Sequence, residues 1–135
     1  MYSRLKTIAE ANNMKFEYAR RDFQNLEEID VNKVHLFLDP VTINENHGDY
    51  NRVESRDYSG RFLLLVSSEF NQDDYEGRYL ENIKPLIDTS IETVRDGLRC
   101  DGKMTINTWS TTEVINLFDQ NYDGLVVTYS VNEDA

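Results

Sequence analysis

The chain has 135 residues, of which 39% are hydrophobic and 29% charged, and these values predict a single globular domain that spans residues 1–135. Lys and Arg total 14 against 25 Asp and Glu, and the net charge of −11 disfavours a surface that binds nucleic-acid phosphates. No apolar run approaches the roughly 18 residues of a membrane span, so we expect no membrane association. The first residues lack the apolar core of a secretion signal and Cys100 is the single cysteine, which favours a reducing compartment.

The first residues of the chain predict a short helix and a short strand. Asn12 and Asn13 end a pattern of helical spacing that includes Tyr2, Leu5, Ile8 and Ala9. Phe16 and Tyr18 then alternate with polar residues, which is typical of a strand with one buried face.

A second strand is predicted from residue 34 to residue 43. Its apolar pattern breaks at Asp39–Pro40, because proline has no amide to donate, and then resumes at Val41 and Ile43. His35 lies on this strand and could be a catalyst or a metal ligand. No Cys, His or carboxylate stands at ligand spacing from it, so we interpret it as a packed side chain.

Residues 44–59 are polar and without sustained periodicity, which predicts a long protruding loop or a hairpin. His47 in this segment is expected to be exposed and without chemistry. Tyr50 and Tyr58 are predicted subunit contacts, since aromatic residues bury area at interfaces with little loss of entropy; alternatively, they fold back on the sheet. The core strands and the long helix are predicted to lie outside this segment, so deleting 46–57 should spare the core and impair assembly more than stability.

The middle of the chain predicts a buried strand followed by the main helix. Residues 60–70 contain a continuous apolar run, so both faces of this strand should be covered. Residues 75–98 predict a long helix, kinked at Pro85, with an apolar stripe formed by Leu80, Ile83, Ile87, Ile91, Val94 and Leu98. Cys100 follows at the helix C-terminus, a position that does not activate a thiol, and is interpreted as structural.

Two further strands complete the predicted sheet. Residues 103–112 alternate, with Met104 and Ile106 on one side and Trp109 on the other. The apolar run 125–131 predicts a strand near the middle of the sheet. The order α-β-β-loop-β-α-β-β predicts an α+β fold: a single, mostly antiparallel sheet with a short N-terminal helix and one long helix packed on it.

The segment before the last strand contains the pattern D-x-N-x-D-G, formed by Asp119, Asn121, Asp123 and Gly124. The same pattern begins the calcium loop of EF-hands, but that loop needs a Glu at its twelfth position, where this chain has Ser130, and a helix after it. We therefore interpret these residues as turn formers and predict no metal site. A calcium-binding domain is the less favoured alternative.

Signatures of enzymes are missing from the sequence. It contains no G-x-S-x-G, no glycine-rich phosphate loop and no cysteine pair, and its two histidines are in separate segments. Acidic pairs such as Asp73–Asp74 are typical of solvated faces. We predict that the protein is not an enzyme and takes no cofactor.

Three segments carry a resemblance to a known group of proteins. VHLFLDPVTIN leads into the long loop, RFLLLVSSEF precedes the long helix, and NLFDQNYDGLVVTYSV ends the chain. With the N-terminal helix, they resemble small α/β proteins of tailed-bacteriophage necks and tails, the tail-terminator and head–tail joining group. Only the turn residues Asp119, Asn121, Asp123 and Gly124 carry over, because the group has no catalytic residues.

The resemblance implies a structural protein of the virion, assembled in the host bacterial cytoplasm. It implies a homo-oligomeric ring of six or twelve subunits, stacked between portal, adaptor or tail proteins, through which DNA passes. The acidic composition agrees, because an acidic lumen repels phosphate. The alternative is a monomeric acidic protein-binding module or inhibitor that mimics the charge of DNA.

Overall fold

The computed structural model describes residues 1–18, 33–67, 75–100, 102–117 and 122–134. These residues form a mixed six-stranded sheet, a short N-terminal helix and one long bent helix, so the predicted α+β fold is confirmed. The strands are β1 (Lys15–Tyr18), β2 (His35–Leu38), β3 (Thr42–His47), β4 (Val53–Ser67), β5 (Met104–Leu117) and β6 (Tyr122–Asp134). The N-terminal helix is α1 (Tyr2–Ala11), and the long helix runs from α2 (Tyr75–Arg78) to α3 (Ile91–Arg99) through two π-helical segments, Tyr79–Ile83 and Leu86–Ser90.

The sheet is organised around β4 and β6. Its order is β1-β2-β4-β6-β5, with β3 also paired to β4. Only the β1–β2 pairing is parallel among these strands. The strand β6 pairs along its length with β4 on one side and β5 on the other, which confirms its predicted interior position.

The break predicted at Asp39–Pro40 divides one strand path into β2 and β3. Both strands pair with β4, β2 at Phe62–Leu65 and β3 at Val53–Ser59. Asp39 keeps the path continuous, because its amide donates to the carbonyl of Arg61 at 3.1 Å.

The two helices cover one face of the sheet. Their buried side chains join those of alternate strand positions in one core, to which Leu5, Ala9, Phe62, Leu64, Ile83, Val94, Leu98, Leu125, Val127 and Val131 belong. Phe37, Leu63, Leu65 and Tyr122 form a second buried cluster on the other face. The prediction that both faces of the apolar run at 62–66 are covered is therefore confirmed for residues 62–65, all of which are buried.

The long helix buries most of the predicted stripe, since Ile83, Ile91, Val94 and Leu98 are buried and Ile87 packs against the core, but its first half departs from the prediction. Leu80 is exposed, whereas Arg78 and Leu86 are buried. The π-helical segments explain this, because bonding from i to i+5 takes more residues per turn than the i to i+4 pattern and rotates the inward face. Pro85 is exposed between these two segments, where its missing amide removes one backbone bond.

A bulge in β5 reverses the predicted alternation of that strand. Ile106 pairs with Val131 and Thr108 with Ser130, so Asn107 is an extra residue without a partner in register. Trp109 consequently lies on the same face as Ile106, where it contacts Phe62 with 5.6 Å between ring centroids. The prediction that Trp109 and Ile106 face opposite sides is wrong.

Candidate functional site

Residues 44–59, for which the sequence allowed a loop or a hairpin, form a hairpin. Strand β3 pairs with the first part of β4 in antiparallel register, and the connection between them is a short turn at Asp49–Asn51. All six residues of β3 are exposed, and β4 is its only partner among the described strands. Because β4 continues from the hairpin into the core, the hairpin is a continuous extension of the sheet.

The tip of the hairpin presents Tyr50 to solvent. Its side chain is 96% exposed, and both Tyr50 and Asn51 have positive φ, 61° and 57°. Two consecutive residues of this kind match a type I′ turn, in which Asn and Gly are strongly preferred. A tyrosine in this conformation costs about 1–2 kcal/mol, and in this turn it has no packing that would offset the cost.

The two faces of the hairpin differ in polarity. On one face, Asp57 on β4 accepts hydrogen bonds from Asn46 on β3 at 3.0 Å and from Asn132 on β6 at 2.7 Å. Both amides also lie within 3.2 Å of the Ser55 hydroxyl. The hydrogen bonds from Asn132 and Asn46 lower the pKa of Asp57, so this polar face is ordered by a carboxylate that stays charged.

The opposite face opens into an apolar groove, which we call the basal groove. It has a volume of about 560 Å³ and is lined by residues that include Tyr2, Arg4, Tyr18, Ile43, Tyr58 and Glu133. Tyr2, Tyr18 and Ile43 are 45%, 50% and 55% exposed, although all three are large and hydrophobic. Tyr58 instead packs against the core, so of the two tyrosines predicted as contacts Tyr58 folds back and Tyr50 projects.

Aromatic contacts hold the wall of the basal groove in place. The ring of Tyr2 on α1 meets Phe16 and Tyr18 on β1 edge to face, at centroid distances of 5.2 and 5.4 Å. The ammonium group of Lys6 lies 5.8 Å from the centre of the Tyr2 ring. These contacts pack α1 against β1 at the wall of the basal groove.

Charged groups border both the basal groove and the hairpin. Arg4 lies 3.5 Å from Glu133 at the groove. On the hairpin, Glu45 contacts His47 at 3.2 Å and Arg56 at 3.4 Å. Exposed pairs of this kind contribute about 0–1 kcal/mol each to stability. His47 is exposed, as predicted.

The predicted turn before the last strand is only partly described. Asp119 and Asn121 lie outside the described residues. Asp123 and Gly124 lie within β6, paired with Val66 and Leu65, rather than in the turn that their residue types indicated. A β-carbon on Gly124 would stand 2.0 Å from the carbonyl oxygen of Leu64, so glycine is needed here for the close approach of β4.

Asp123 forms a buried ion pair with the long helix. Arg78 donates from Nε to Oδ2 at 2.9 Å and from Nη2 to Oδ1 at 2.8 Å, and Asn82 donates to Oδ2 at 2.9 Å. The Arg78 and Asp123 side chains are 3% and 0% exposed. This cluster attaches α2 and the first π-helical segment to the start of β6, and both oxygens of the carboxylate accept hydrogen bonds.

The remaining candidate residues have ordinary surroundings. His35 is buried and stacks on Phe37 with 5.9 Å between ring centroids, with Tyr122 at 6.0 Å, which agrees with a packing role. Cys100 is exposed directly after α3. Within the described residues, no three His, Cys, Asp or Glu side chains are grouped for a metal ion, and no helix combines the length and hydrophobicity needed to cross a membrane.

Comparison with known proteins leaves the family open. No protein-family model matches the chain, and no curated protein matches it.

Proposed function

We propose that the protein is a structural subunit of a tailed-phage particle that assembles into a homo-oligomeric ring at the head–tail junction or tail end. The β3–β4 hairpin carries this proposal. It is tied to the core through β4, all residues of β3 are exposed, and its tip holds a tyrosine in an unfavourable backbone conformation. Such an outlier is stabilised only by what surrounds it, and in the subunit Tyr50 is surrounded by solvent.

The basal groove gives the subunit a second surface for association. Isolated exposed hydrophobic residues are normal on soluble proteins, but here several line one groove. A subunit with a projecting tip on one side and a groove on another has two different contact surfaces. Head-to-tail contacts between different surfaces produce rings when the rotation closes.

The charge of the chain supports passage of DNA without attachment. A net charge of −11 repels phosphate at close range, whereas DNA-binding surfaces gain affinity from the counterions that cationic side chains displace. We expect no retardation of duplex DNA by the protein at low salt, where electrostatic attachment is strongest. A steep salt-dependent binding of duplex DNA would contradict the proposal.

The oligomeric state tests the proposal directly. Sedimentation velocity over a wide range of concentration should show a larger species of discrete size, and imaging of purified phage particles should show six or twelve copies at one axial position. A protein that remains monomeric and is absent from particles, or present as a single copy, would contradict the proposal. A monomer that binds a basic protein would instead support the acidic binding module.

A further inference from the structure

We infer that each subunit of the proposed ring inserts its hairpin tip, with Tyr50 leading, into the basal groove of the next subunit. The inference rests on the proposed function and specifies the contact that builds the ring. It names a second copy of this chain as the occupant of the groove.

The tip cannot occupy the groove of its own subunit. Ile43 lines the groove, and β3 continues from it as an extended strand to His47 before the turn that carries Tyr50. Four strand residues alone advance about 13 Å at roughly 3.3 Å each, so the strand carries the tip away from its own groove. Backbone pairing with β4 keeps the strand extended over this length, with a shift in register between Asn46 and His47.

The groove has the size and chemistry to receive a tyrosine. Its volume of about 560 Å³ lies within the range of sites that hold small molecules. Tyr2 and Tyr18 supply ring edges and faces for aromatic contacts, and Arg4 and Glu133 at its border supply polar groups for a phenol hydroxyl.

Charge complementarity favours a second copy of this chain, rather than a different acidic protein, as the partner at the basal groove. The β3–β4 hairpin, residues 42–59, contains four Asp and Glu against two Arg, and one of its acids, Glu45, is paired with Arg56 at 3.4 Å. Helix α1, Tyr2–Ala11, contains Arg4 and Lys6 against Glu10, a net positive charge in a strongly acidic chain, although Arg4 lies 3.5 Å from Glu133. The acidic hairpin therefore faces a locally basic helix across the proposed contact, and association should weaken as salt rises.

The size of the contact explains why closure into a ring matters. A buried tyrosine covers about 150–250 Å², whereas a stable interface buries at least about 1,000 Å² in total. One inserted tip is thus a weak contact, but in a closed ring every subunit gives one tip and receives another. We expect dilute protein to be monomeric and concentrated protein to close cooperatively.

Disulfide trapping between two different variants tests the contact. Both variants carry Cys100→Ser to remove the exposed native thiol. One also carries Tyr50→Cys and the other Ile43→Cys, and they are mixed at about 1 mM because a contact of this size is weak. The mixture should form a crosslinked dimer under mild oxidation, and neither variant alone should form it efficiently. Tyr75→Cys, at another exposed tyrosine on the long helix, replaces Tyr50→Cys in the control and should give no such product.

The variant Tyr50→Asn separates association from folding. Asparagine tolerates the left-handed conformation better than tyrosine, so the variant should be at least as stable to urea as the wild type. Loss of the aromatic anchor should raise the dissociation constant of the oligomer by at least about tenfold. The control Tyr75→Asn should change it by less than about twofold.

The possible outcomes distinguish this inference from the proposed function. An oligomer that gives no crosslink between positions 50 and 43, and whose affinity is unchanged by Tyr50→Asn, overturns the insertion of the tip and leaves the ring. A wild-type protein that stays monomeric at about 1 mM, far above the range of specific interfaces, and is absent from particles overturns both. A crosslink together with weakened association of a stable Tyr50→Asn variant supports the inference.

Discussion

The variant Asp123→Asn tests whether the acidic side chain at position 123 serves the buried ion pair with Arg78 rather than a turn. The substitution removes the negative charge and keeps the shape of the side chain, which leaves the nearly buried Arg78 guanidinium without the carboxylate that neutralises it. Removal of one partner from a buried pair costs about 3–5 kcal/mol. A domain of this size has a free energy of unfolding of about 5–15 kcal/mol, so the loss is a large fraction of the total.

Urea unfolding followed by circular dichroism measures this cost, with Asp88→Asn as the matched control. Asp88 makes a shorter contact with Lys84, 2.6 Å, on the same long helix, but both of its groups are exposed. The control substitution should therefore cost no more than about 1 kcal/mol. In a thermal scan, a loss of about 3 kcal/mol lowers the melting temperature by roughly 10 °C for a chain of intermediate length.

A double replacement completes the test. Substituting Arg78→Met and Asp123→Leu together removes both charges, and apolar replacements of a buried pair are often neutral or stabilising. The double variant should therefore be more stable than either single variant, which gives a large coupling energy. If Asp123→Asn costs no more than Asp88→Asn, or if the two single effects simply add, the ion pair does not have the role that its geometry indicates.

Three further expectations follow from individual side chains. Burial raises the pKa of Tyr129 from 10.0 to about 12, and its hydroxyl has no hydrogen-bond partner in the described chain. The unfolded state therefore loses the tyrosine proton first as pH rises, so the free energy of unfolding falls between pH 10 and 12. In urea unfolding, Tyr129→Phe should be neutral at pH 7 and more stable than the wild type by about 1.4 kcal/mol near pH 11. Equal pH dependence of the two proteins would contradict this. Gly124→Ala should cost about 1–3 kcal/mol or more by the same assay, because the added carbon meets the carbonyl of Leu64 at 2.0 Å. Calorimetry with calcium should show no saturable heat, since both oxygens of Asp123 already accept hydrogen bonds, and a stoichiometric transition that Asp119→Ala abolishes would refute this.

The sequence predicts the fold class and four buried positions of the long helix, because the main elements have strong periodic patterns, but it does not predict that Leu80 is exposed and Leu86 buried. Leu86 and Ile87 are adjacent, so either could continue the apolar stripe. The choice depends on whether backbone bonds reach i+4 or i+5, which side-chain spacing does not encode. Pro85 is the local signal, since its missing amide disturbs the bonding of the preceding turn.

The role of Asp123 depends on a residue far away in the sequence. Its local surroundings are rich in Asn, Asp and Gly and therefore favour a turn. The partner that decides its place, Arg78, is 45 residues away, and pattern analysis of a single chain does not pair them. The available hint is an acidic residue directly before an apolar run, because the first side chains of a strand that continues into the core are buried as well.

The basal groove was missed because it forms only when α1, β1 and the hairpin come together. The inward position of Tyr58, however, could have been predicted. Tyr58 has the same parity as Phe62 and Leu64, and residues two apart on a strand share a face. The inward position of Tyr58 is missed only if β4 is assumed to begin at residue 60, whereas the structure extends this strand back to Val53.

The continuity of β4 also changes which experiment separates assembly from folding. Deletion of 46–57 was expected to spare the core, but Ser55, Arg56 and Asp57 pair with the end of β6, and Asp57 also accepts the hydrogen bond from Asn132. Such a deletion removes part of an interior strand, so loss of assembly would be accompanied by loss of stability and neither could be assigned. Replacement of the exposed Tyr50 leaves every one of these pairings in place, and a change in association can then be attributed to the tip itself.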